Sequence, residues 1–466
     1  MNRILLSIWL VLIWAVPPGT ILAASLPLRV SGEITLKGEN SLVGETLVEK
    51  DGTLILERGC RITAEEGSAL NVQGKLYIKG SDHERVVIGR DGDGRWKGIS
   101  FLAGSGGKIT GLDLSRAMTG ISVTAANVEI SHSTVTDCGK GLHLVREGGT
   151  VVDDVGFIGN STGIAVELKS RATINRSLFK KNDVGVAIAS GGLPVITSNR
   201  FEGNGIGVQV YQRYPEGIRG NLFEGNRIGV RFYQNGPDTM VERNLFEDNT
   251  EAAILAVSFS SPRIINNMMR GGRFGVFANQ FSSPTITNNV VKEMKEAIHL
   301  SKKNASEIRD NVISRSEVGI FLDFSSYPLL RNNFLDRNRT HIKLGRFQSS
   351  HWESSAGSKE YVIRTAAKFG SRNPKIVEAP VEFPDGVDAT ANSWGSATLD
   401  EMKAKGPHAD ISTLYDGYDL PEVTYEGFGK QKYRIDKIFY APWLGARGAG
   451  TGLSGWKGKR GELHVP

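Results

Sequence analysis

A 22-residue rhythm runs through the middle of this chain and leaves it very few folds. Its marker is a residue, usually glycine, followed by Ile, Leu or Val. The anchors are Gly120, Gly141, Gly163, Gly185, Gly207, Gly229, Ala253, Gly275, Ala297, Gly319 and His341, at spacings of 21, 22, 22, 22, 22, 24, 22, 22, 22 and 22. Positions one and three after each anchor are apolar, as in Val208 and Val210 or Ile254 and Ala256, and the positions between them are mixed. Such alternation is a strand with one face turned inward. Two more apolar columns keep the same register. One holds Ile174, Ile196, Ile218, Met240 and Ile264; the other holds Phe157, Phe179, Phe201, Phe223, Phe246 and Met269. Three inward stretches in 22 residues describe a coil of three strands. One coil cannot bury its own inner face, so coils must stack, strand on strand in parallel. The expected class is all-β, a parallel solenoid of about 22 residues per coil, with no room for helices in the repeat.

Asparagines recur in the same register. Asn199, Asn221, Asn244, Asn267, Asn289, Asn311 and Asn333 form one set; Asn160, Asn182, Asn204, Asn226, Asn249 and Asn338 form another. Asn tolerates left-handed turns, and stacked amides can form ladders between layers. Both sets read as structural.

The rest of the chain frames this repeat. Residues 1–24 read as a signal peptide: Arg3, then the apolar run Ile4–Val16, too short to span a bilayer as a helix, then Pro17 and Pro18. Residues 25–100 read as irregular capping coils, 101–350 as regular repeats, 351–444 as an irregular excursion and C-terminal cap, and the Gly- and Lys-rich 445–466 as a flexible tail. Cys60 and Cys138 are the two cysteines. Three to four coils apart, they lie too far from one another for a bridge. The formal charge of +6 suits an anionic partner.

Gly94-Arg95-Trp96-Lys97-Gly98-Ile99 and Asn392-Ser393-Trp394-Gly395 are the flanking motifs. Together with the repeat they resemble the right-handed parallel β-helix of the pectate-lyase-like superfamily, including the periplasmic copper-binding β-helix family. The resemblance covers about residues 30 to 444 and implies fold rather than activity, since the superfamily spans lyases, hydrolases, epimerases, adhesins and assembly factors. The Asp-Pro-His of an epimerase-like site is absent, as is the His-Gly of a polygalacturonase-like one. His143 and His299 share a column but lie seven coils apart, while Met240 and Met269 fall in inward columns and read as core.

Two outward columns carry candidate chemistry. Gln209, Tyr211, Arg231, Tyr233, Phe277, His299, Phe321 and Asp323 form a candidate ligand-binding face, with Arg213, Tyr214, Phe259, Phe281, Phe324 and Tyr327 in adjacent loops. Aromatic faces stack on sugars and Arg forks take carboxylates. Glu202, Glu224 and Glu247 form an acidic column at layer spacing, the only catalytic candidates. Such a column suits a Ca²⁺ ion or a glycosidase pair; no other cofactor is called for. The expected function is an exported scaffold, periplasmic or extracellular, that binds extended glycans or other cell-envelope polymers without turnover. No nucleic acid and no membrane span after signal cleavage are expected. A polysaccharide lyase, hydrolase or epimerase with an atypical site is the alternative, and a periplasmic assembly or metal-delivery factor the third reading.

Overall fold

The computed structural model describes residues 24–355, 386–425, 431–445, 447–448 and 450–466. The signal-peptide reading and most of the excursion therefore fall outside the described residues. What is described is a parallel β-solenoid. The anchor strands pair in one sheet, sixteen-stranded among the described residues, from Arg29–Val30 to Leu414–Tyr415. The second and third columns join in one sheet, 28-stranded among the described residues, because in two coils a single ten-residue strand, Asn127–Thr136 or Gly149–Ile158, serves both.

The register is the one the repeat dictates. Val186 pairs with Val208, Val208 with Val230, Val230 with Ile254 and Ile254 with Val276. These side chains are buried in one continuous core. The coil with 24-residue spacing shows where register can slip. Tyr211 pairs with Tyr233, an offset of 22; Ile218 with Val241 and Phe223 with Phe246, offsets of 23; Ile228 with Ala252, an offset of 24. One extra residue therefore sits in each of two turns. As a consequence Val241, not Met240, fills the inward column: Val241 is fully buried, and Met240 pairs with Arg263 at the half-buried margin.

Two further columns lock the stack. Phe157, Phe179, Phe201, Phe223 and Phe246 stack face to face at centroid separations of 5.3, 4.7, 4.7 and 4.8 Å. The anchors beside them are glycines because a Cβ at Gly207 would meet the Phe223 ring at 2.8 Å. Asn199 donates from Nδ2 to Asn221 Oδ1 at 3.1 Å, and the chain of amides continues through Asn244, Asn267, Asn289, Asn311 and Asn333 to Asn392. Each also caps the main chain of the neighbouring coil, as Asn244 does for Ile218 O at 2.9 Å. These asparagines do not themselves take the left-handed bend. The residue before each does, as at Ser198, Arg243, Asn266, Asn288 and Asn332.

The last coil is assembled from distant segments. Ser393-Trp394 adds to Phe334-Leu335, and Leu414-Tyr415 to Ile342-Lys343. The helix Ser396–Lys405 lies over that end, with Met402 in the core and Thr398 Oγ1 3.0 Å from His341 Nε2.

The tail is a correction to composition. Instead of hanging free it runs back along the third column. Gly452 N–H donates to Asp310 O at 2.7 Å, Ser454 N–H to Asn266 Oδ1 at 2.7 Å, and Trp456 Nε1 to Asn266 O at 2.9 Å. Leu463 packs on Leu222 and Leu245. A chain ending at Gly445 should keep the solenoid but melt roughly 5 °C lower, since a few kcal/mol of contacts are lost; a thermal melt matching the full chain would contradict this strap.

Candidate functional site

Parity along the anchor strands puts the predicted face on one side of the sheet, and the structure shows which members are available there. Arg231 pairs with Leu255, Leu255 with Phe277, Phe277 with His299, and His299 with Phe321. Phe277 and Phe321 flank the His299 ring at 4.6 and 4.7 Å, and His299 Nδ1 lies 2.6 Å from Glu296 Oε2. Phe277 also leans on an outward apolar cluster of Ile206, Ile228, Ala252, Leu255 and Phe274. This stretch packs largely upon itself. Gln209 is 2 % exposed, its amide turned to Arg231 O at 3.3 Å, so it does not face solvent. Asp323 caps a turn, accepting from the N–H groups of Phe324 (2.9 Å) and Phe347 (2.8 Å), and burial raises its carboxyl pKa. Tyr211 is exposed and Tyr233 half-buried, their rings 6.1 Å apart edge to face. Tyr214 is core, donating to Pro194 O and Gly217 O. Tyr327 donates to Asp436 Oδ2 at 2.7 Å.

The acidic column is neutralised. Glu202 meets Lys180 at 2.7 Å and Arg200 at 3.0 Å; Glu224 meets Arg200 at 3.1 Å and Arg460; Glu247 meets Arg270 at 3.1 Å and Arg460 at 2.6 Å. The Lys180 hydrogen bond holds Glu202 below the usual carboxylate range. Arg460 arrives on the tail, more than 200 residues away in sequence, which is why the column looked free from local sequence. Arg219 pairs with Glu242 at 3.5 Å. These carboxylates hold neighbouring coils and the tail together through Lys and Arg partners.

What sequence reasoning only partly located is the turn that follows each anchor strand. After the four successive strands Ala252–Val257, Phe274–Ala278, Glu296–Leu300 and Val318–Leu322, two successive residues take left-handed φ: Ser258 and Phe259 (53°, 65°), Gln280 and Phe281 (56°, 61°), Lys302 and Lys303 (58°, 59°), Phe324 and Ser325 (50°, 56°). Stacked coil on coil, these turns form a ridge. Phe259 and Phe281 stack at 5.3 Å, and Phe324 and Phe347 at 4.6 Å. Between the two pairs is a cleft of about 230 Å³ walled by Phe281, Phe324, Phe347 and Trp352, with Lys302, Lys303 and Glu353 around it. Lys303 pairs with Glu353, whose other oxygen accepts from Ser325 Oγ at 2.6 Å. Burial pulls the Lys303 ammonium below its ordinary range, and Glu353 opposes that shift. Phe347, Trp352 and Glu353 lie beyond the last regular repeat, where the 22-residue rhythm gives no guide.

The chain matches a family model described as "Periplasmic copper-binding protein (NosD)" over residues 58–258 and 210–370. The chain belongs to the NosD family. No curated protein matches it. Among solved structures, a PL6 family alginate lyase, AlyGC, is similar at 14% identity and a TM-score of 0.42 over 63% of this chain. This chain covers only 50% of that lyase. A tailspike protein of E. coli bacteriophage HK620 in complex with pentasaccharide is similar at 10% identity and TM-score 0.40, over 67% of this chain and 72% of the tailspike. Neither likeness bears on activity or on the position of a site.

The family description raises copper, and the described residues do not fit it. Among them no three His, Cys, Asp or Glu side chains come together to hold a metal ion. Cys60 and Cys138 are buried, and burial pushes both thiols up to about 11, whereas a soft-metal ligand must be a thiolate. His143 sits 3.2 Å from Glu167 and His299 beside Glu296, seven coils apart. His341 is buried and pushed down to about 4 by desolvation. Met269 is core.

Proposed function

We propose that this NosD-family chain is an exported periplasmic scaffold that binds an extended glycan or similar cell-envelope polymer along its turn ridge, without turnover. The supporting observation is the set of phenylalanines held at left-handed φ. A bulky residue there costs of order 1–3 kcal/mol where Gly or Asn would fit freely, so turn geometry does not explain the choice. Rings presented along a rigid solenoid, Phe259 and Phe281 in one column and Phe324 one position earlier in its turn, suit the flat faces of successive sugars. The neutralised acidic column supports binding rather than hydrolysis.

Changing Phe281 and Phe324 together to Ala should weaken retention on the bound polysaccharide roughly thirtyfold, at about 1 kcal/mol per ring, with the melting temperature preserved because both lie outside the core. Full retention would discard the ridge. The family description favours metal delivery as a second reading; stoichiometric copper in the purified protein would carry it.

A further inference from the structure

We infer that the polymer is acidic, and that its carboxylates are taken by Lys169, Arg171 and Arg213 at the other end of the same ridge. This rests on the reading of the ridge as a polymer track.

The turns after strands Lys140–Val145, Thr162–Glu167, Val184–Ile188 and Ile206–Tyr211 occupy the position that Phe259 and Phe281 hold further along. Here they line a groove of about 590 Å³. Its floor is open because Gly148, Gly149 and Gly191 carry no side chain, and Leu193 and Pro215 give it apolar wall. Lys169, Arg171 and Arg213 stand over it against a single acid, Glu147. Their charge is lightly committed. The Arg171 side chain is 69% exposed, and its partner Glu216 lies 3.9 Å away. Arg213 is 75% exposed and pairs with Asp238 at 2.8 Å. Lys169 is exposed. The coil of Lys169 and Arg171 and that of Arg213 are two layers apart, about 10 Å at the usual strand spacing. A chain presenting carboxylates at intervals meets a charged rung, a glycine rung and a second charged rung. Arginine forks bind carboxylates two bonds at a time, and the apolar wall receives the C–H face of a ring. A nucleic acid would ask for aromatic platforms between the cations, and no aromatic side chain lines this groove.

The test is retention of the chain from Ser25 on polygalacturonate, on its fully methyl-esterified form, on dextran and on single-stranded DNA. The triple variant Lys169→Gln, Arg171→Gln, Arg213→Gln is compared with the charge control Arg61→Gln, with thermal melts confirming the fold. We expect polygalacturonate to bind, salt to weaken it, the triple variant to lose roughly thirtyfold and the control to lose nothing. Equal binding by the triple variant, equal binding of the ester, or preferred binding of DNA would overturn the inference. If the ester or dextran binds through Phe281 and Phe324 regardless of the cations, the acidic specificity fails and the polymer track stands. If the wild-type chain retains no polysaccharide, both fail.

Discussion

Ile254→Asp should unfold the central coils. Ile254 is fully buried between Val230 and Val276, in a core that runs the length of the solenoid. The substitution removes a side chain worth about 2–5 kcal/mol and strands a carboxylate with no cation near it. The sum rivals the roughly 5–15 kcal/mol that holds a typical domain. Circular dichroism and limited proteolysis should show loss of the cooperative melt, with cleavage starting in the middle of the chain. A melting temperature equal to that of the wild type would contradict the register.

Asn244→Leu should cost less, but still at least about 3 kcal/mol. The Asn244 amide donates to Ile218 O (2.9 Å), Glu242 O (3.1 Å) and Asn267 Oδ1 (3.1 Å), and its oxygen accepts from Asn221 N–H at 2.9 Å. Leucine fills similar space but leaves the buried Asn221 N–H without its acceptor, at roughly 1–3 kcal/mol, and removes the three bonds its amide gave to Ile218 O, Glu242 O and Asn267 Oδ1, at about 1 kcal/mol each. The half-buried Asn279, outside the ladder, makes a suitable control. If chemical denaturation gives Asn244→Leu the same midpoint as the control, the ladder contributes nothing to stability.

These two effects fall on features that were plain in the sequence. A period-two pattern repeated every 22 residues specifies both the strand and its neighbour, because slipping by one residue would turn every apolar side chain outward. The pattern failed where one coil is longer. A two-residue insertion split between two turns cannot be placed from spacing, and it exchanged Val241 for Met240. It failed again at the tail, whose partners Asn266, Asn288 and Asn332 lie more than 100 residues away and whose Gly-rich composition argued for disorder.

The candidate site was half legible. Outward parity picked out the face of Tyr211 and Phe277, but parity does not say that Gln209 turns under its neighbour or that Phe277 leans on Phe274. Phe259, Phe281 and Phe324 stood out as loop aromatics. Their left-handed φ, and the Lys303–Glu353 pair in the cleft beside them, are visible only once the coils are stacked.

The central claim is binding without turnover, and the most direct measurement is a screen of the chain from Ser25 against acidic and neutral polysaccharides, reading both retention and new reducing ends or unsaturated products. Retention on at least one polysaccharide, with its chain length unchanged, is the expected result. Products released by the wild-type chain, or no retention on any of the polymers, would contradict it.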